Sequence, residues 1–369
     1  MKIRTKRSRR NSAPWAKKKR IRLSTVLIAS FGALVGTGCG SESENSSTRE
    51  TTLTLLAYES FTLPPEVFAP FTAETGITVN VALSGDAGEL ISKAALTAGN
   101  PEGDVLWGVD NTLLSRAIEA EIFDPYTSSA ARIDEAFIKA GEQTVTPVDF
   151  GHVCVNYDVA DLRRLELEPP TNFDDLIDPA YSGLLVVQNP ALSSPGLAFL
   201  LATVARYGDN WTEYWQKLVA NDVLVVDGWS DAYYSSFTKY GGDRPLVVSY
   251  STSPPAEVLF ADPPLPPNSP APTGVVIDTC FEQIEFAGVL RGSKDVAAAR
   301  LLVDFLVSRT FQEAMPENLF VYPVNRNADL PRSFTSYAPA VISPIRLTAD
   351  EIATGRQEWI DLWTSIVLS

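Results

Sequence analysis

Six aromatic rings stand among hydroxyl side chains in residues 228–254, a mixture suited to holding a flat polar molecule. The rings are those of Trp229, Tyr233, Tyr234, Phe237, Tyr240 and Tyr250. Aromatic faces attract planar and cationic rings, while hydroxyls and backbone amides at the ends of elements fix a ligand's orientation. The segment therefore predicts ligand recognition rather than catalysis.

The supply of catalytic and metal-binding side chains is small. His152 is the only histidine, so the chain lacks the partners for a Ser-His-Asp triad and the ligand spacing of a zinc site. We expect no catalytic residue, no cofactor and no metal ion. His152 itself is expected to be a structural or surface residue.

Two turns made of small residues are candidates for holding the polar end of a ligand. Ser84, Gly85 and Asp86 precede one predicted helix, and Asp86 has capping-box spacing to Glu89. The second turn, residues 193–196, opens another helix, with Ser194 as the N-cap and Ser193 beside free backbone amides that suit a phosphate or carboxylate. Ordinary helix capping also explains both turns.

Predicted elements divide the aromatic segment into binding and packing positions. Ser230 is expected to cap a helix over residues 231–240, which places Trp229 just before the cap as a ligand contact. Tyr233 is left undecided between the site and the core. Phe237 and Tyr240 share its helical stripe and are assigned to packing.

Three further candidates follow predicted strands. Tyr250 closes the strand at residues 246–250, and Tyr58 follows the strand at residues 53–57. Asp110, at the expected start of a helix over residues 111–120, is a candidate partner for a ligand's amino group or charge, as are Asp149 and Glu285. Ligands in open α/β sheets collect at the carboxyl ends of strands.

Strands and helices alternate along the chain, which predicts an α/β fold with parallel sheets. Residues 149–157 and 281–289 interrupt the alternation as two strand-like crossings. The folded body of about 320 residues is too large for one ordinary core. We expect a two-lobed fold with a cleft between the lobes: lobe 1 from residues 51–150, lobe 2 from 151–280, and completion of lobe 1 by 281–369 and its C-terminal helices.

The N-terminal region indicates export. Residues 1–38 contain eleven basic residues and no acidic one, with a short apolar stretch at residues 23–36, the pattern of a signal peptide. Cys39 follows small residues in a sequence that resembles a bacterial lipobox, which implies a lipid anchor at Cys39. Residues 39–50 are predicted to be a flexible tether.

Without the signal, nineteen basic residues remain against 45 acidic ones, a net charge of about −26. Nucleic acid is therefore excluded as a partner, because binding it needs a basic surface. We expect a monomer outside the cytoplasm. Cys154 and Cys280 are predicted to form a disulfide in that oxidising compartment.

Taken in order, eight segments resemble the thiamine-binding proteins of bacterial ABC importers, within the ferric-, polyamine- and thiamine-binding group of solute receptors. They are AYESF at 57–61, DVLWGVDNTLL at 104–114, PVDFG at 147–151, NPALSSPGL at 189–197, DGWSDAY at 227–233, VVSYSTSP at 247–254, FQEAMPENLFVYPV at 311–324 and GRQEWIDLW at 355–363. The resemblance extends from about residue 53 to residue 369.

The resemblance implies a type II periplasmic-binding-protein fold that closes on thiamine or a thiamine phosphate and delivers it to a permease. It assigns ligand contacts to Tyr58, Ser193, Trp229 and Tyr250. Phe320 stands where the family has a tryptophan, Ala256 stands where it has a tyrosine, and Pro64 and Pro65 replace another aromatic position.

Two alternatives stay open. Adjacent Tyr233 and Tyr234 would suit a ferric-ion receptor of the same fold. Thiamine-degrading enzymes share the architecture and would use Cys154 as a nucleophile, which requires that Cys154 not be bridged to Cys280.

Overall fold

The computed structural model describes residues 51–368. The predicted signal peptide, Cys39 and the tether lie outside these described residues. Within residues 51–368, the helices are too short or too polar to cross a membrane.

Ten strands of the described residues form one mixed sheet. In chain order they are β1 (Thr52–Ala57), β2 (Thr78–Leu83), β3 (Val105–Asp110), β4 (Phe123–Asp124), β5 (Thr146–Asp158), β6 (Leu185–Gln188), β7 (Leu224–Val226), β8 (Leu246–Tyr250), β9 (Thr273–Leu290) and β10 (Tyr322–Pro323). Their spatial order is β2-β1-β3-β9-β5-β8-β6-β7, with β10 beside β5 and β4 beside β9.

The two long strands β5 and β9 join two halves of this sheet. They pair antiparallel from Thr146 opposite Ala287 to Asp158 opposite Thr273. One half continues through β3, β1 and β2, and the other through β8, β6 and β7. The crossing segments expected from the sequence are therefore these strands, and the fold is the predicted two-lobed α/β type.

The predicted parallel pairing is found within each half of the sheet but not along the two crossing strands. Pairing is parallel within each half, in β1–β2, β1–β3, β6–β7 and β6–β8, but β9 and β5 run antiparallel to their neighbours. Local alternation of strands and helices cannot reveal this, because a crossing strand enters the sheet from the other half of the molecule.

Fourteen helices of the described residues cover the sheet. They are α1 (Ala69–Thr75), α2 (Ala87–Leu96), α3 (Leu114–Glu119), α4 (Glu135–Ala140), α5 (Val159–Arg164), α6 (Ser194–Tyr207), α7 (Trp211–Ala220), α8 (Trp229–Asp231), α9 (Ser253–Leu259), α10 (Val296–Leu306), α11 (Arg309–Ala314), α12 (Pro316–Leu319), α13 (Arg332–Tyr337) and α14 (Ala349–Val367). Helices α2, α7, α10 and α14 are amphipathic, and each buries one apolar face.

Side chains alternate between two cores on opposite faces of β3. Leu106 and Val109 belong to one buried apolar cluster, while Val105 and Trp107 belong to the other. Successive strand residues point to opposite faces, so a strand covered on both sides is apolar throughout. Polar atoms at the end of such a strand, as in Asp110, consequently lie deep in the molecule.

The C-terminal helix α14 is the longest of the described residues and begins with a capping box between Thr348 and Glu351. Its Trp363 is fully buried and packs edge-on against Trp215 of α7, with 5.5 Å between ring centroids. Ile352 and Ile360 extend the same buried face. The helix therefore packs on the body through one apolar face.

Candidate functional site

The carboxyl ends of strands from both halves of the sheet meet at one place. Tyr58 follows β1 and Asp110 ends β3 on one side, while Tyr250 ends β8 on the other. Direct contacts join the two sides: the Gly88 amide donates to the Leu192 carbonyl at 3.0 Å, and the Ser194 hydroxyl donates to Asp110. The predicted candidates from both sides are therefore neighbours.

Trp229 is the centre of an aromatic wall. Its ring stacks on Tyr233 at 4.9 Å between centroids, meets Tyr234 edge-on at 5.4 Å, and lies 6.4 Å from Tyr250. The indole Nε1 donates to Ser249 Oγ at 3.0 Å. These contacts hold one half-buried indole in a fixed orientation beside Tyr250.

The helix expected over residues 231–240 is not continuous. Gly228 is the N-cap, so Trp229 is the first helical residue of α8 and Ser230 is not the cap. One π-helical turn follows at Ala232–Ser236, and Phe237 returns to extended backbone with a fully buried ring. Burial of the Phe237 ring in the core therefore outweighs the helical pattern of the local sequence.

Tyr233 is assigned to packing by its surroundings. The residue is 3% exposed, and its hydroxyl donates to Glu257 Oε1 at 2.7 Å. Burial, followed by the charge of Glu257, raises the pKa of the Tyr233 hydroxyl well above its usual value. Tyr240 shares the same acceptor at 2.9 Å but is 37% exposed, so its assignment to the core is wrong.

Tyr58 lies on the opposite side of the site, next to buried carboxyl groups. Its hydroxyl donates to Glu285 Oε2 at 3.3 Å. A methyl group at Gly108, whose φ is +114°, would come within 2.4 Å of the Tyr58 ring. Glycine at this position of β3 therefore allows the ring to lie flat against the strand.

Asp149 and Glu285 form a carboxyl pair behind Tyr58. Trp107 Nε1 donates to both, at 3.1 Å to Asp149 Oδ2 and 3.2 Å to Glu285 Oε2. Burial raises the pKa of Asp149 to about 7. Burial, and then the charge of Asp149, raise the pKa of Glu285 well above its usual value.

Asp110 is fully buried and saturated with protein donors. Its Oδ1 accepts from the Thr112 amide, the Thr112 hydroxyl and the Leu113 amide. Its Oδ2 accepts from Gln283 Nε2 at 2.7 Å and from Ser194. Asp110 therefore links β3 to α6, and the helix that it was expected to cap at residue 111 begins only at Leu114.

The turn at Ser84, Gly85 and Asp86 contacts the aromatic wall. Asp86 caps α2 through the Ala87 amide at 2.6 Å, and its Oδ2 accepts from the Trp229 amide at 2.9 Å. Burial raises the pKa of Asp86 above its usual value. Of the three predicted residues, Asp86 makes the contact between the two sides.

The other two residues of this turn face α2 and solvent. Ser84 Oγ accepts from Lys93 Nζ at 2.9 Å, and the Gly85 carbonyl accepts from the Glu59 amide. The predicted capping box is wrong, because Glu89 forms an ion pair with Lys93 at 3.1 Å.

Ser193 offers an unused hydroxyl at the start of α6. It is the N-cap by backbone position, with Ser194 as the first helical residue, so the expectation of Ser194 as the N-cap is wrong. Ser193 is 1% exposed, and within the described residues no atom is in hydrogen-bonding geometry with its Oγ. The hydroxyl lies beside Asp86 and helps to lower the pKa of that carboxyl.

Phe320 lies in a different aromatic group. Its ring is 5.5 Å from Phe260 and 6.4 Å from Phe334, and its backbone is left-handed at φ +58°. Its carbonyl accepts a hydrogen bond from the Thr252 hydroxyl, in the turn after Tyr250. The structure therefore connects Phe320 to the site through the backbone.

Sequence reasoning missed Trp107, Ser249 and Gln283 as parts of this network. Gln283 and Glu285 are alternate residues in a mostly apolar part of β9. Polar residues at a period of two within a buried strand mark one face with a special role, and that signal would have found Gln283.

The two cysteines are bonded to each other. Their sulfur atoms are 2.06 Å apart, they link β5 to β9, and both residues are buried. The disulfide leaves Cys154 without the free thiolate that a nucleophile requires. This bond contradicts the hypothesis of a Cys154-dependent enzyme.

His152 is a buried residue whose Nδ1 lies 3.4 Å from Ser251 Oγ. It is 8% exposed, and burial lowers its pKa to about 4. Among residues 51–368, no group of three or more histidine, cysteine, aspartate or glutamate residues is placed to hold a metal ion.

One cavity of the described residues lies outside the aromatic wall. It measures about 440 Å³ and is lined by α3, α4, β9 and the start of α14, including Asn111, Phe137, Glu282 and Arg346. Glu282 and Arg346 already form two short hydrogen bonds to each other, at 2.6 and 2.7 Å.

Comparison with known proteins gives consistent matches. Residues 100–343 match the family model described as bacterial extracellular solute-binding protein. A thiamine-binding periplasmic protein of Salmonella typhimurium is 30% identical over 321 residues, covering 85% of this chain and 93% of the relative.

Two further matches extend the comparison. A solved structure of a periplasmic thiamin binding protein is 28% identical with a TM-score of 0.76, covering 91% of this chain and 99% of that one. Iron uptake protein A1 of Synechocystis sp. is 23% identical, covering 85% of this chain and 88% of the relative.

Proposed function

Because the chain belongs to the family of bacterial extracellular solute-binding proteins, we propose that it is the receptor of an ABC importer for thiamine or a thiamine phosphate. The receptor binds this ligand outside the cytoplasm and delivers it to the membrane permease. The similarity to a thiamine-binding periplasmic protein and to the solved structure of a periplasmic thiamin binding protein supports the proposal.

The observation that carries the proposal is an aromatic wall that stands opposite buried carboxyl groups. Trp229 and Tyr250 present rings on one side, and Tyr58 lies with Glu285 and Asp149 on the other. A permanently cationic aromatic ring such as thiazolium is attracted by both features. Tyr58, Trp229, Tyr250 and Ser193 are the proposed contacts, with the unused Ser193 hydroxyl available to the hydroxyethyl or phosphate end.

Isothermal titration calorimetry with thiamine, its monophosphate and its pyrophosphate tests the proposal. At least one should bind saturably with a negative heat-capacity change, because aromatic surface becomes buried. An aminopyrimidine without the thiazolium ring is the control and should bind far more weakly. If none of the three compounds binds, the proposal is wrong.

Ferric ion is the second candidate, favoured by the iron uptake relative and by adjacent Tyr233 and Tyr234. The hydrogen bond from Tyr233 to Glu257, and the raised pKa of that tyrosine, oppose formation of an iron-binding tyrosinate. Adding ferric citrate should produce a visible charge-transfer band if the protein binds iron. If its ligand is thiamine, no such band should appear.

We also propose how the receptor is organised and held at the membrane. The signal at residues 1–38 is removed, Cys39 carries the lipid, and residues 39–50 tether the folded body. Lobe 1 comprises residues 51–150 and 281–369, lobe 2 comprises residues 151–280, and the body acts as a monomer. Mass spectrometry of the Cys39→Ser variant should show loss of the lipid, and size-exclusion chromatography should give a monomer mass.

A further inference from the structure

A pair of buried carboxyl groups sits where the two halves of the sheet join. Asp149 of β5 and Glu285 of β9 are opposite each other in the antiparallel ladder. They are 1% and 6% exposed, and the same Trp107 N–H donates to both. Tyr58 also donates to Glu285, at 3.3 Å, but two neutral donors cannot compensate two buried negative charges.

The groups that face this pair add no positive charge. Tyr58 comes from the loop after β1, Trp107 and Asp110 from β3, and Tyr250 from β8. Phe61 and Phe311 pack on the far side of Trp107, and β10 brings Pro323 opposite Asp149.

Three buried carboxyls and the half-buried Asp86 of this region lack a basic partner. In the part of the chain that the structure describes, the ion pairs include none of Asp86, Asp110, Asp149 and Glu285. At the far end of the same group, the Ser193 hydroxyl is buried beside Asp86 with no hydrogen-bond partner among the described residues. An acidic interior with an unused hydroxyl is complementary to a ligand that carries a positive charge and a polar end.

We propose that Asp149 and Glu285 share a proton while the site is empty and release it to solvent when a cationic ring binds beside Tyr58 and Tyr250. The carboxyl O–H bond breaks, the proton passes to water, and the ligand's positive charge replaces it. This inference rests on the proposed function and adds that the pair recognises the ligand's charge. The raised pKa values of both groups agree with a shared proton.

Proton release makes binding depend on pH. Since a proton and the cation compete for the same pair, raising the pH removes the competitor and tightens binding. The dissociation constant should fall by up to about tenfold per pH unit for one released proton. A receptor with permanently ionised carboxylates would show no such slope.

Calorimetry of thiamine binding in two buffers of different ionisation enthalpy, at about pH 7, measures the protons released. Wild-type protein should release up to about one proton, and its Kd should fall between about pH 6 and pH 8. In the Glu285→Gln and Asp149→Asn variants, both the proton release and the pH dependence of the Kd should largely disappear. Titration of free thiamine supplies the correction for the ligand's own protonation.

The Glu282→Gln variant is the matched control. Glu282 lies on the same strand but pairs with Arg346 at the surface. Its proton release should equal that of the wild type. Circular dichroism establishes that each variant is folded.

Infrared difference spectra of the empty wild-type protein provide a test that needs neither ligand nor a folded variant. A protonated carboxyl band should be present at about pH 7 and disappear at higher pH. Absence of that band overturns the inference. Thiamine binding without proton release also overturns the inference but leaves the proposed function intact. If the band is present and thiamine does not bind, only the proposed function is overturned.

Discussion

Trp229 shows how much one residue's position depends on its partners. Its backbone amide is held by Asp86 from the other side of the site, its indole N–H by Ser249, and its ring by Tyr233. These three contacts fix the ring before a ligand arrives. A fixed ring loses little conformational entropy on binding, which favours affinity.

Replacing Trp229 with alanine should weaken thiamine binding by roughly 30-fold, because a desolvated cation–π contact contributes about 2 kcal/mol. Calorimetric titration measures the change. Trp359→Ala on α14 is the control, since it removes an indole of the same size elsewhere. If both variants bind like the wild type, Trp229 is not a ligand contact.

Replacing Tyr233 with phenylalanine should lower the free energy of unfolding by about 1–3 kcal/mol, because buried Glu257 loses a hydrogen-bond donor. Affinity should stay within about threefold, since the ring that supports Trp229 remains. Urea unfolding and calorimetry measure the two effects. Tyr240→Phe, which removes a more exposed donor to the same carboxylate, should cost less. A large loss of affinity at unchanged stability would place the Tyr233 hydroxyl in the site.

The long strands β5 and β9 contribute to the structure in three ways. They join the two halves, carry the Asp149–Glu285 pair, and bear the disulfide between Cys154 and Cys280. Register shifts occur in their ladder between Pro147 and Asp149 and between Val153 and Val155, close to the pair and the disulfide. Such irregularities redirect side chains locally.

Removing the disulfide with the double substitution Cys154→Ser and Cys280→Ser should destabilise the protein by up to ~5 kcal/mol, because the bond closes a sequence separation of 126 residues in the unfolded chain. Chemical unfolding with and without the bridge measures this loss. Reduced wild-type protein should match the variant. Equal unfolding midpoints for oxidised and reduced protein would contradict the prediction.

At the scale of the whole molecule, backbone contacts join the two halves of the sheet at the site. The amide of Gly88 reaches the carbonyl of Leu192, and a β-carbon at Gly88 would lie 2.5 Å from that oxygen. The two turns can approach this closely because residue 88 has no side chain. Domain closure of this kind traps a ligand and slows its release.

The Gly88→Ala variant should bind thiamine less tightly, mainly through faster dissociation, while α2 stays folded because alanine favours helix. Stopped-flow fluorescence measures the dissociation rate, and small-angle X-ray scattering measures the compaction on adding ligand. Leu96→Ala, at an exposed position of the same helix, is the control. Normal compaction and dissociation in Gly88→Ala would show that this contact does not govern closure.

The sequence by itself determined the local elements and the chemical character of the site. Helices α2, α10 and α14 follow from apolar periodicity, because that pattern depends on residues within a few turns. The sequence likewise identified Tyr58 and Tyr250 as candidate ligand contacts, because these aromatic residues lie at the ends of predicted strands. The resemblance of eight segments, in order, to a known family predicted the family and therefore the fold.

Only the tertiary structure decided which polar side chains are partners. Tyr233 bonds to Glu257, Ser193 stays unpaired, and Trp107 unites Asp149 with Glu285 from three different strands. These relations depend on which strands are neighbours and how deeply they are buried. Both depend on contacts between residues distant in the sequence, such as Trp107 and Glu285, which are 178 positions apart. Local pattern carries no information about such distances, so the shared proton could be inferred only from the assembled sheet.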